Sequence, residues 1–283
     1  DANQELHREA NELPLIRLIT RSPYNYENKK YGIVLLVVSA IHEREERQQI
    51  RRLWASEEES NMQKVRKSVV IFLVGESSSE SIENEAMKYE DILQVTTPET
   101  YRNLVYKIAI GFRWLKANID TEFVAKIDTD TVVHIDVLYE TLKRYESHYG
   151  SKDWVACSSI TDAGPVRWDR SPWYVSREDY EESEYPRYCN GPGYVMPKRT
   201  LEKIVLEVED VFFTGIVAQA VGIMHIGEGV VSHQYDSNAF CSSAGPIMSI
   251  LNTHWQLSKD TKTDRDLTVA WNTLTNAYCY QSV

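Results

Sequence analysis

The feature that most constrains this fold is an alternation of two hydrophobic patterns along the first half of the chain. Apolar, β-branched runs of strand length are followed by segments whose apolar residues recur with helical spacing. The predicted strands are 31–40, 68–75, 91–95 and 123–128, and the predicted helices between them are 44–55, 77–91 and 101–119. Strands that alternate with helices predict an α/β fold with a doubly wound, mostly parallel sheet. In such sheets, ligands bind beyond the carboxyl ends of the strands.

From about residue 150 the sequence changes in character. Aromatic residues, Gly and Pro replace the regular alternation, which is typical of a half built from short strands and loops. Helical spacing returns over 198–220 and again near the C-terminus. Because no internal repeat or linker is visible, we interpret the chain as a polar N-terminal arm, 1–30, followed by a single domain, 31–283.

The net charge of −11 argues against the partners that basic proteins bind. Nucleic acids and anionic membrane surfaces attract Lys and Arg through their phosphates, so we expect no nucleic-acid partner. The longest apolar run, 33–40, is much shorter than the roughly 20 residues that cross a bilayer. Because no signal-peptide pattern begins at Asp1, we expect either a removed leader or a cytosolic chain with a trimmed start.

Four cysteines are widely spaced, with no Cys-x-x-Cys pair among them: Cys157, Cys189, Cys241 and Cys279. This spacing does not predict a structural zinc site. Two disulfides, with three possible pairings, and four reduced thiols in the core are both compatible with the sequence.

Two aspartates at the end of the fourth predicted strand are the first candidates for chemistry. Asp128 and Asp130 occur in VAKIDTDTVVH, where the strand reaches the ligand-binding edge of the sheet. Carboxylate oxygens at a turn suit Mg²⁺ or Mn²⁺, which can also bind a diphosphate. One alternative is a solvated turn with capping aspartates. Another is the nucleophile loop of haloacid-dehalogenase-type phosphatases, which Asp-x-Asp-x-Thr-Val resembles, although that loop normally follows the first strand of its domain.

Six stretches occur in the order that one known family has. They are RQQIRRLWA, FLVG, YEDILQVTTPETYRNLVYK, FVAKIDTDTVV, WYVSREDYEESEYPRYCNGPGYVM and EDVFFTGI. Together they resemble the β-1,3-glycosyltransferases of glycosyltransferase family 31, the galactosyltransferase and N-acetylglucosaminyltransferase group, over about 31–275. The resemblance implies a GT-A-like, Rossmann-type sheet flanked by helices. It also implies a nucleotide-sugar-binding half at 31–150 and a loop-rich acceptor-binding half at 151–283.

The resemblance further implies an inverting, metal-dependent transfer of a sugar from a UDP-sugar to a hydroxyl of an oligosaccharide in β-1,3 linkage. Galactose is the favoured donor sugar, with UDP-N-acetylglucosamine and UDP-N-acetylgalactosamine as alternatives. The acceptor would be carried by a glycoprotein or glycolipid. An inactive glycan-binding paralogue and the phosphatase remain alternative functions.

The same resemblance implies a type II Golgi membrane protein whose N-terminal anchor is absent from this sequence. Its catalytic domain would face an oxidising lumen, which favours disulfides over reduced thiols. A second copy of the chain, in a homodimer, is a further possible partner.

By resemblance, the metal ligands lie in two places along the chain. Asp130 would bind Mn²⁺ or Mg²⁺ directly, and Asp128 would contact the ribose or a metal-bound water. Thr129, between them, belongs to the nucleotide-sugar site. His254, in NTHWQLS, is the expected third ligand, because a neutral imidazole beside carboxylates suits Mn²⁺. The alternative for His254 is a surface histidine without a metal.

Asp210, in VEDVFF, is the expected general base. An inverting displacement needs one carboxylate on the acceptor side to take the proton of the attacking hydroxyl. Glu209 is the neighbouring candidate, and both residues could instead cap the helix that follows.

Three cations are predicted partners of uracil or pyrophosphate. Arg47 and Arg51 lie four residues apart on one helical face, so we expect them to point together at the carboxyl edge of the sheet. Lys107 lies in the matched NLVYK. The alternative for all three is a solvated charge on a helix.

Small and aromatic residues of the second half are candidates for sugar contacts. Gly191 and Gly193, in YCNGPGY, would let the backbone approach a ligand closely, or would form a tight turn. Trp173 is a predicted stacking residue for a sugar ring, and a small satellite core is the alternative. Further aromatic candidates are Trp168, Tyr174 and Tyr188.

Overall fold

The computed structural model describes most of the chain between residues 18 and 275. The described residues are 18–20, 26, 29–78, 81–100, 103–171, 173–204, 211–227, 230–232, 241–242, 245–246, 250–252 and 267–275. The helix predicted at the start of the N-terminal arm and the residues Glu209, Asp210 and His254 lie outside them.

Thirteen strands and nine helical segments occur in the described residues. The strands are β1 (Leu18–Thr20), β2 (Lys30–Val38), β3 (Ser68–Glu76), β4 (Ile92–Pro98), β5 (Asp120–Asp128), β6 (Thr131–Val133), β7 (Trp154–Ile160), β8 (Tyr188–Pro197), β9 (Met224–Ile226), β10 (Val231–Ser232), β11 (Cys241–Ser242), β12 (Gly245–Pro246) and β13 (Ile250–Asn252). The helices are α1 (Arg44–Arg52), α2 (Asn61–Lys64), α3 (Glu83–Tyr89), α4 (Leu104–Asn118), α5 (Ile135–Tyr149), α6 (Lys198–Ile204), the π-helix π1 (Val211–Val217), α7 (Ala218–Ala220) and α8 (Leu267–Thr275).

Eight strands form one sheet in the order β1-β4-β3-β2-β5-β8-β7-β9. Strands β4, β3, β2 and β5 are parallel neighbours, and β7 and β9 are also parallel to each other. Strand β8 is antiparallel to both β5 and β7, and β1 is antiparallel to β4. The predicted α/β fold with a mostly parallel sheet flanked by helices is confirmed.

Alternate residues of the central strand β2 face two separate cores. Ile33, Leu35 and Val37 pack in a core shared with α1, α3, α5 and α8, whereas Val34 and Leu36 pack in a core shared with α4 and α6. This alternation is the period of two that a strand imposes on its side chains. Because both faces are covered by helices, β2 is apolar throughout rather than alternating.

Helix α4 lies directly on the sheet because it carries a glycine at the contact. A Cβ atom added at Gly111 would lie 2.7 Å from Leu73 Cδ2 and 2.8 Å from Leu36 Cδ2. Any side chain there would therefore displace the helix or the two leucines.

The order of the central strands creates a crevice at their carboxyl ends. Strand β2 pairs with β3 on one side and with β5 on the other, so the chain leaves β2 and β5 in different directions. Such a switch point is where open α/β sheets bind ligands. In register, Val38 is opposite Asp128, which puts the predicted Asp-Thr-Asp turn at this crevice.

Strands β7 and β8, among the short strands predicted for the second half, extend the main sheet. Two further elements lie outside the sequence-based expectation. Helix α5 was not predicted, because its apolar positions follow the Asp-Thr-Asp turn closely and no strand pattern separates it from β5. Strand β1 lies within the predicted arm and pairs with the edge strand β4.

A disulfide joins the neighbouring strands β7 and β8. It links Cys157 and Cys189, whose Cα atoms are 5.6 Å apart. Cys279 and the side chain of Cys241 lie outside the described residues. No helix in the part of the chain described here is long and apolar enough to cross a membrane.

Candidate functional site

The Asp-Thr-Asp turn lies at the switch point of the sheet. Asp128 ends β5, and Thr131 begins β6. The hydroxyl of the buried Thr129 donates to Glu43 Oε2 at 3.0 Å, and the same oxygen accepts from the amide of Ala40 at 2.8 Å. These bonds tie the loop after β2 to the turn after β5. The crevice is therefore built from two connected loops.

Lys126, which was not predicted, supplies a buried cation beneath this turn. Its side chain is 1% exposed, and Nζ lies 2.8 Å from Asp128 Oδ1. The ammonium also donates to the carbonyl oxygen of Gly191 at 2.6 Å. Residues 126 and 128 are two apart on a strand and so face the same side. The signal in the sequence was a single charged residue inside the apolar run FVAKID.

The two candidate glycines have different surroundings. The backbone of Gly191 accepts the hydrogen bond from Lys126, so strand β8 is tied to the candidate site through its main chain. A Cβ atom added at Gly193 would lie 3.3 Å from Ile127 Cδ1 and from Ile250 Cγ2. The small size of Gly193 therefore lets β8 pack closely beside the end of β5.

Arg47 is buried against the loop that follows β2 and against Glu85 of α3. It is 1% exposed, and its guanidinium makes a two-bond contact with Glu85 at 2.9 and 2.8 Å. The remaining N–H groups donate to Ser39 Oγ and to the carbonyl oxygens of Ala40 and Ile41. All five N–H donors are thus used inside the protein. These bonds give Arg47 a buried structural role, and its contact with a nucleotide stays a prediction.

Arg51 is directed away from the carboxyl edge. It donates twice to Asp91, the residue before β4, at 2.7 and 2.8 Å, and once to Glu85 at 2.8 Å. Its guanidinium also lies over the rings of Phe72 and Tyr89 at 4.7 and 4.0 Å. Arg47 and Arg51 thus meet at Glu85, and their contact with uracil or phosphate stays a prediction. The direction of the Arg51 side chain is set by its acidic partners, Glu85 and Asp91.

Burial and ion pairing act in opposite directions on Glu85, which Arg47 and Arg51 share. Burial raises the pKa of its carboxyl, whereas the hydrogen bonds and charges of the two guanidinium groups lower it. The pairing prevails, so the pKa of Glu85 lies below its usual value and the carboxyl stays ionised.

Lys107 lies at the carboxyl edge but already has protein partners. Its side chain is buried, and Nζ donates to the carbonyl oxygen of Ser39 at 3.0 Å and to the two oxygens of Glu99 at 3.1 and 2.9 Å. The ammonium is therefore directed at Glu99, and its contact with a pyrophosphate stays a prediction.

Three predicted residues, Glu209, Asp210 and His254, lie outside the described residues, although neighbouring elements approach the turn. Strand β13 runs antiparallel to β6 with Asn252 opposite Thr131, so it is directed toward the Asp-Thr-Asp turn. The helix π1 begins at Val211 and is tied to β8, because Thr214 Oγ1 accepts from the amide of Cys189 at 2.8 Å.

The turn supplies hard oxygen ligands but not a complete metal site. Asp128 and Asp130 carry carboxylates two residues apart, a donor type that suits Mg²⁺ or Mn²⁺. Lys126 already balances the charge of Asp128, which fits a role for Asp130 as the direct ligand. Among the described residues, no group of three or more His, Cys, Asp or Glu side chains could hold a metal.

Trp173 is on the connection between β7 and β8, at the same edge of the sheet. It is 61% exposed, and Trp168 on the same connection is 63% exposed. The alternative of a satellite core is therefore excluded for these two side chains.

Comparisons with known proteins agree on one family. The profile of the galactosyltransferase family matches residues 45–228. Beta-1,3-galactosyltransferase 1 of Mus musculus and the human protein of the same name are each 28% identical over 244 residues, which cover 79% of this chain and 71% of theirs. Human beta-1,3-galactosyltransferase 5 is 28% identical over 193 residues, which cover 64% of this chain and 60% of that protein.

Solved structures resemble this one at a coarser level. The galactosyltransferase LgtC, solved in complex with donor and acceptor sugar analogs, has a TM-score of 0.41 and 11% sequence identity, covering 86% of this chain and 94% of that one. The 4-diphosphocytidyl-2C-methyl-D-erythritol synthase of Anaerococcus prevotii also has a TM-score of 0.41 and 11% identity.

The family profile spans more than half of the chain, and it includes both the Asp-Thr-Asp turn and the buried lysine beneath it. The resemblance inferred from the six motifs is thereby confirmed. This chain belongs to the galactosyltransferase family, glycosyltransferase family 31, and is a glycosyltransferase.

Proposed function

We propose that this protein transfers a sugar, with galactose favoured, from a UDP-sugar to a hydroxyl of a glycan acceptor in β-1,3 linkage with inversion. The observation that carries the proposal is the Asp-Thr-Asp turn at the switch point, held by the buried pair of Lys126 and Asp128. The relatives named beta-1,3-galactosyltransferases support galactose and the linkage. UDP-N-acetylglucosamine and UDP-N-acetylgalactosamine are the alternative donors.

Residues of the turn would bind the nucleotide end of the donor. Asp130 and His254 would hold Mn²⁺ or Mg²⁺, with Asp128 contacting the ribose or a metal-bound water and Thr129 fixing the turn. A bound divalent cation would supply positive charge to the departing diphosphate. Lys126 would keep the carboxylate of Asp128 in one orientation, because the ammonium is itself fixed by the carbonyl of Gly191.

Asp210 would act as the general base on the acceptor side, with Glu209 as its neighbour. Its carboxylate would take the proton of the attacking hydroxyl while the oxygen bonds to the anomeric carbon and the diphosphate leaves. One displacement of this kind inverts the anomeric configuration and needs no covalent intermediate. Residues 31–150 would thus carry the donor half and residues 151–283 the acceptor half.

The proposed setting is the Golgi lumen, with the protein attached to the membrane through an N-terminal anchor. The disulfide between Cys157 and Cys189 supports an oxidising compartment. The partners would be a UDP-sugar and an oligosaccharide on a glycoprotein or glycolipid.

The test is UDP release from several UDP-sugars with Mn²⁺ present, together with linkage analysis of the product. We expect release with one donor, and a loss of at least about 100-fold in Asp130→Ala, because metal binding contributes several kcal/mol to such a transition state. Asp120→Ala is the matched control, since Asp120 is exposed at the opposite end of the same strand.

Two outcomes would contradict the proposal. Glycan binding without UDP release from any donor would favour the inactive paralogue. Hydrolysis of p-nitrophenyl phosphate that disappears in Asp128→Asn would favour the phosphatase.

A further inference from the structure

The connection between β7 and β8, residues 161–187, is unusually long, and its described residues form no helix or strand beyond one isolated bridge between Val166 and Tyr174. Connections longer than about 12–15 residues in compact domains are usually functional. Its ends meet at the carboxyl edge, where Ile160 pairs with Tyr188, three residues before Gly191. We call this segment the β7–β8 loop. It therefore starts and ends at the same edge of the sheet as the Asp-Thr-Asp turn.

One arginine holds the β7–β8 loop together. Arg167 Nη1 donates to the carbonyl oxygens of Val175 and Ser176 at 2.9 and 2.6 Å. Nη2 donates to those of Tyr180 and Glu182 at 2.6 and 2.9 Å. A single guanidinium thus binds four carbonyl groups of residues that follow Arg167 by 8 to 15 positions in the sequence.

The two arms of the loop also touch each other directly. The amide of Tyr185 donates to the carbonyl oxygen of Ala163 at 2.8 Å. A Cβ atom added at Gly164 would lie 2.2 Å from the carbonyl oxygen of Ser183, so only glycine allows this approach. The described part of the loop is therefore a fixed structure in spite of its length.

This fixed loop presents large apolar side chains to solvent. Trp168 and Trp173 are more than half exposed, and Val166 beside them is 38% exposed. By contrast, Trp54 and Trp154 are fully buried in the core. Ser171 ties together the backbone at the two exposed tryptophans, because its amide donates to the carbonyl oxygen of Trp168 at 3.0 Å and its Oγ accepts from the amide of Trp173 at 3.1 Å. Exposed apolar surface on an ordered loop is typical of a binding site.

The loop that carries these tryptophans has an excess of acidic side chains, which bears on the kind of partner it can bind. The described residues of the loop include seven acidic side chains and four basic ones. The acidic residues are Asp162, Asp169, Glu178, Asp179, Glu181, Glu182 and Glu184, and the basic residues are Arg167, Arg170, Arg177 and Arg187. The guanidinium of Arg167 is moreover directed at carbonyl groups inside the loop. An acidic surface repels a sulfate or a carboxylate, whereas the apolar face of a neutral sugar ring can pack on an indole.

We propose that Trp168 and Trp173 form the docking surface for a neutral pyranose of the acceptor glycan, and that Arg167 is the positioning residue that keeps them in place. The acidic side chains of the loop select against sulfated and sialylated acceptors. This inference rests on the proposed glycosyl transfer, and it adds the class of acceptor and the residues that recognise it.

The first experiment separates acceptor binding from donor binding. With UDP-galactose as donor and p-nitrophenyl β-galactoside and p-nitrophenyl β-N-acetylglucosaminide as neutral probes, Trp168→Ala and Trp173→Ala should each raise the acceptor KM about tenfold, the loss of about 1.4 kcal/mol of binding. The KM for UDP-galactose should stay within twofold of the unsubstituted protein. Val65→Ala, at an exposed valine far along the chain from the loop, is the control.

The second experiment tests the role of Arg167. Arg167→Ala should raise the acceptor KM at least as much as either tryptophan substitution, without a change in donor KM or in the melting temperature of the domain. Arg167→Lys should recover part of the loss, because one ammonium can reach only some of the four carbonyl groups. Arg170→Ala, an exposed arginine of the same loop, should have no effect.

The third experiment compares the neutral probes with their 6-sulfated forms, for which we expect an acceptor KM at least tenfold higher. Equal use of the sulfated probes, or an unchanged acceptor KM in both tryptophan variants, would overturn the inference. If no donor supports transfer, the proposed glycosyl transfer fails instead. Calorimetric titration of the same probes then still decides the docking surface, which requires binding that is lost in Trp168→Ala and Trp173→Ala.

Discussion

At the scale of single residues, the candidate site depends on the ammonium group of Lys126. It connects β5 to β8 through the carbonyl of Gly191 and fixes one oxygen of Asp128. The two aspartates could be found from the sequence, because an Asp-x-Asp after a buried strand is a local pattern. The pairing with Lys126 could not, since it requires β8 to lie beside β5 in the observed register.

We expect Lys126→Met to reduce sugar transfer by about 100-fold and the free energy of unfolding by about 1–3 kcal/mol. The substitution leaves the carbonyl of Gly191 without its donor and Asp128 without its cation, while the partial exposure of Asp128 limits the cost. UDP-release kinetics and urea unfolding measure the two effects. Lys143→Met removes an exposed ion pair with Glu122 and should change stability by less than about 1 kcal/mol. Equal effects in the two variants would contradict this role of Lys126.

At the scale of elements, helix α1 is fastened to its neighbours by charge as well as by apolar contacts. Ile50 and Trp54 enter the core, and Arg47 and Arg51 reach Glu85 of α3 and Asp91 before β4. The sequence predicted the helix and its apolar face correctly. The partners of the two arginines were not predicted, because they depend on which acidic side chains the strand order brings opposite them.

Arg47→Met should lower the free energy of unfolding by about 3–5 kcal/mol, the usual cost of removing one partner of a buried ion pair. Glu85 would keep only Arg51, and Ser39 Oγ and the carbonyl oxygen of Ile41 would lose the donor that Arg47 supplies. The carbonyl oxygen of Ala40 would keep the donors of Ser39 Oγ and the Glu43 amide. Urea unfolding followed by circular dichroism measures the change. Arg52→Met, at an exposed position of the same helix, is the control. A cost similar to that of the control would show that the network contributes little.

At the scale of the whole molecule, two half-buried histidines link stability to pH. His134 follows β6 and packs 5.7 Å from the ring of Trp271 in α8. His225, in β9, contacts the carbonyl oxygen of Thr214 in π1. Burial lowers the pKa of both imidazoles below the usual 6.5, even though Asp136 and Glu59 partly offset this for His134. Both rings are therefore neutral in the folded protein at neutral pH.

The free energy of unfolding should be highest above about pH 6.5 and should decline as the pH falls below that value. The unfolded chain binds protons at these histidines near its ordinary pKa, whereas the folded protein resists them. Thermal unfolding at pH 7.5 and pH 5.5 measures the difference. His134→Phe keeps a ring against Trp271 and should reduce the decline. If the stability of His134→Phe declined as steeply with falling pH as that of the unsubstituted protein, His134 would not be the cause of the decline.

The sequence by itself determined the alternation of strands and helices, the family and the position of the acidic turn, because periodicity and short motifs are local properties of the chain. Only the tertiary structure decided which side chains meet: Arg47 with Glu85, Lys126 with Asp128, and Arg167 with the carbonyl groups of its own loop. Such contacts depend on strand order, register and loop closure. The strand order, the register and the loop closure determine which partner a buried charge contacts, and the local sequence does not encode that contact.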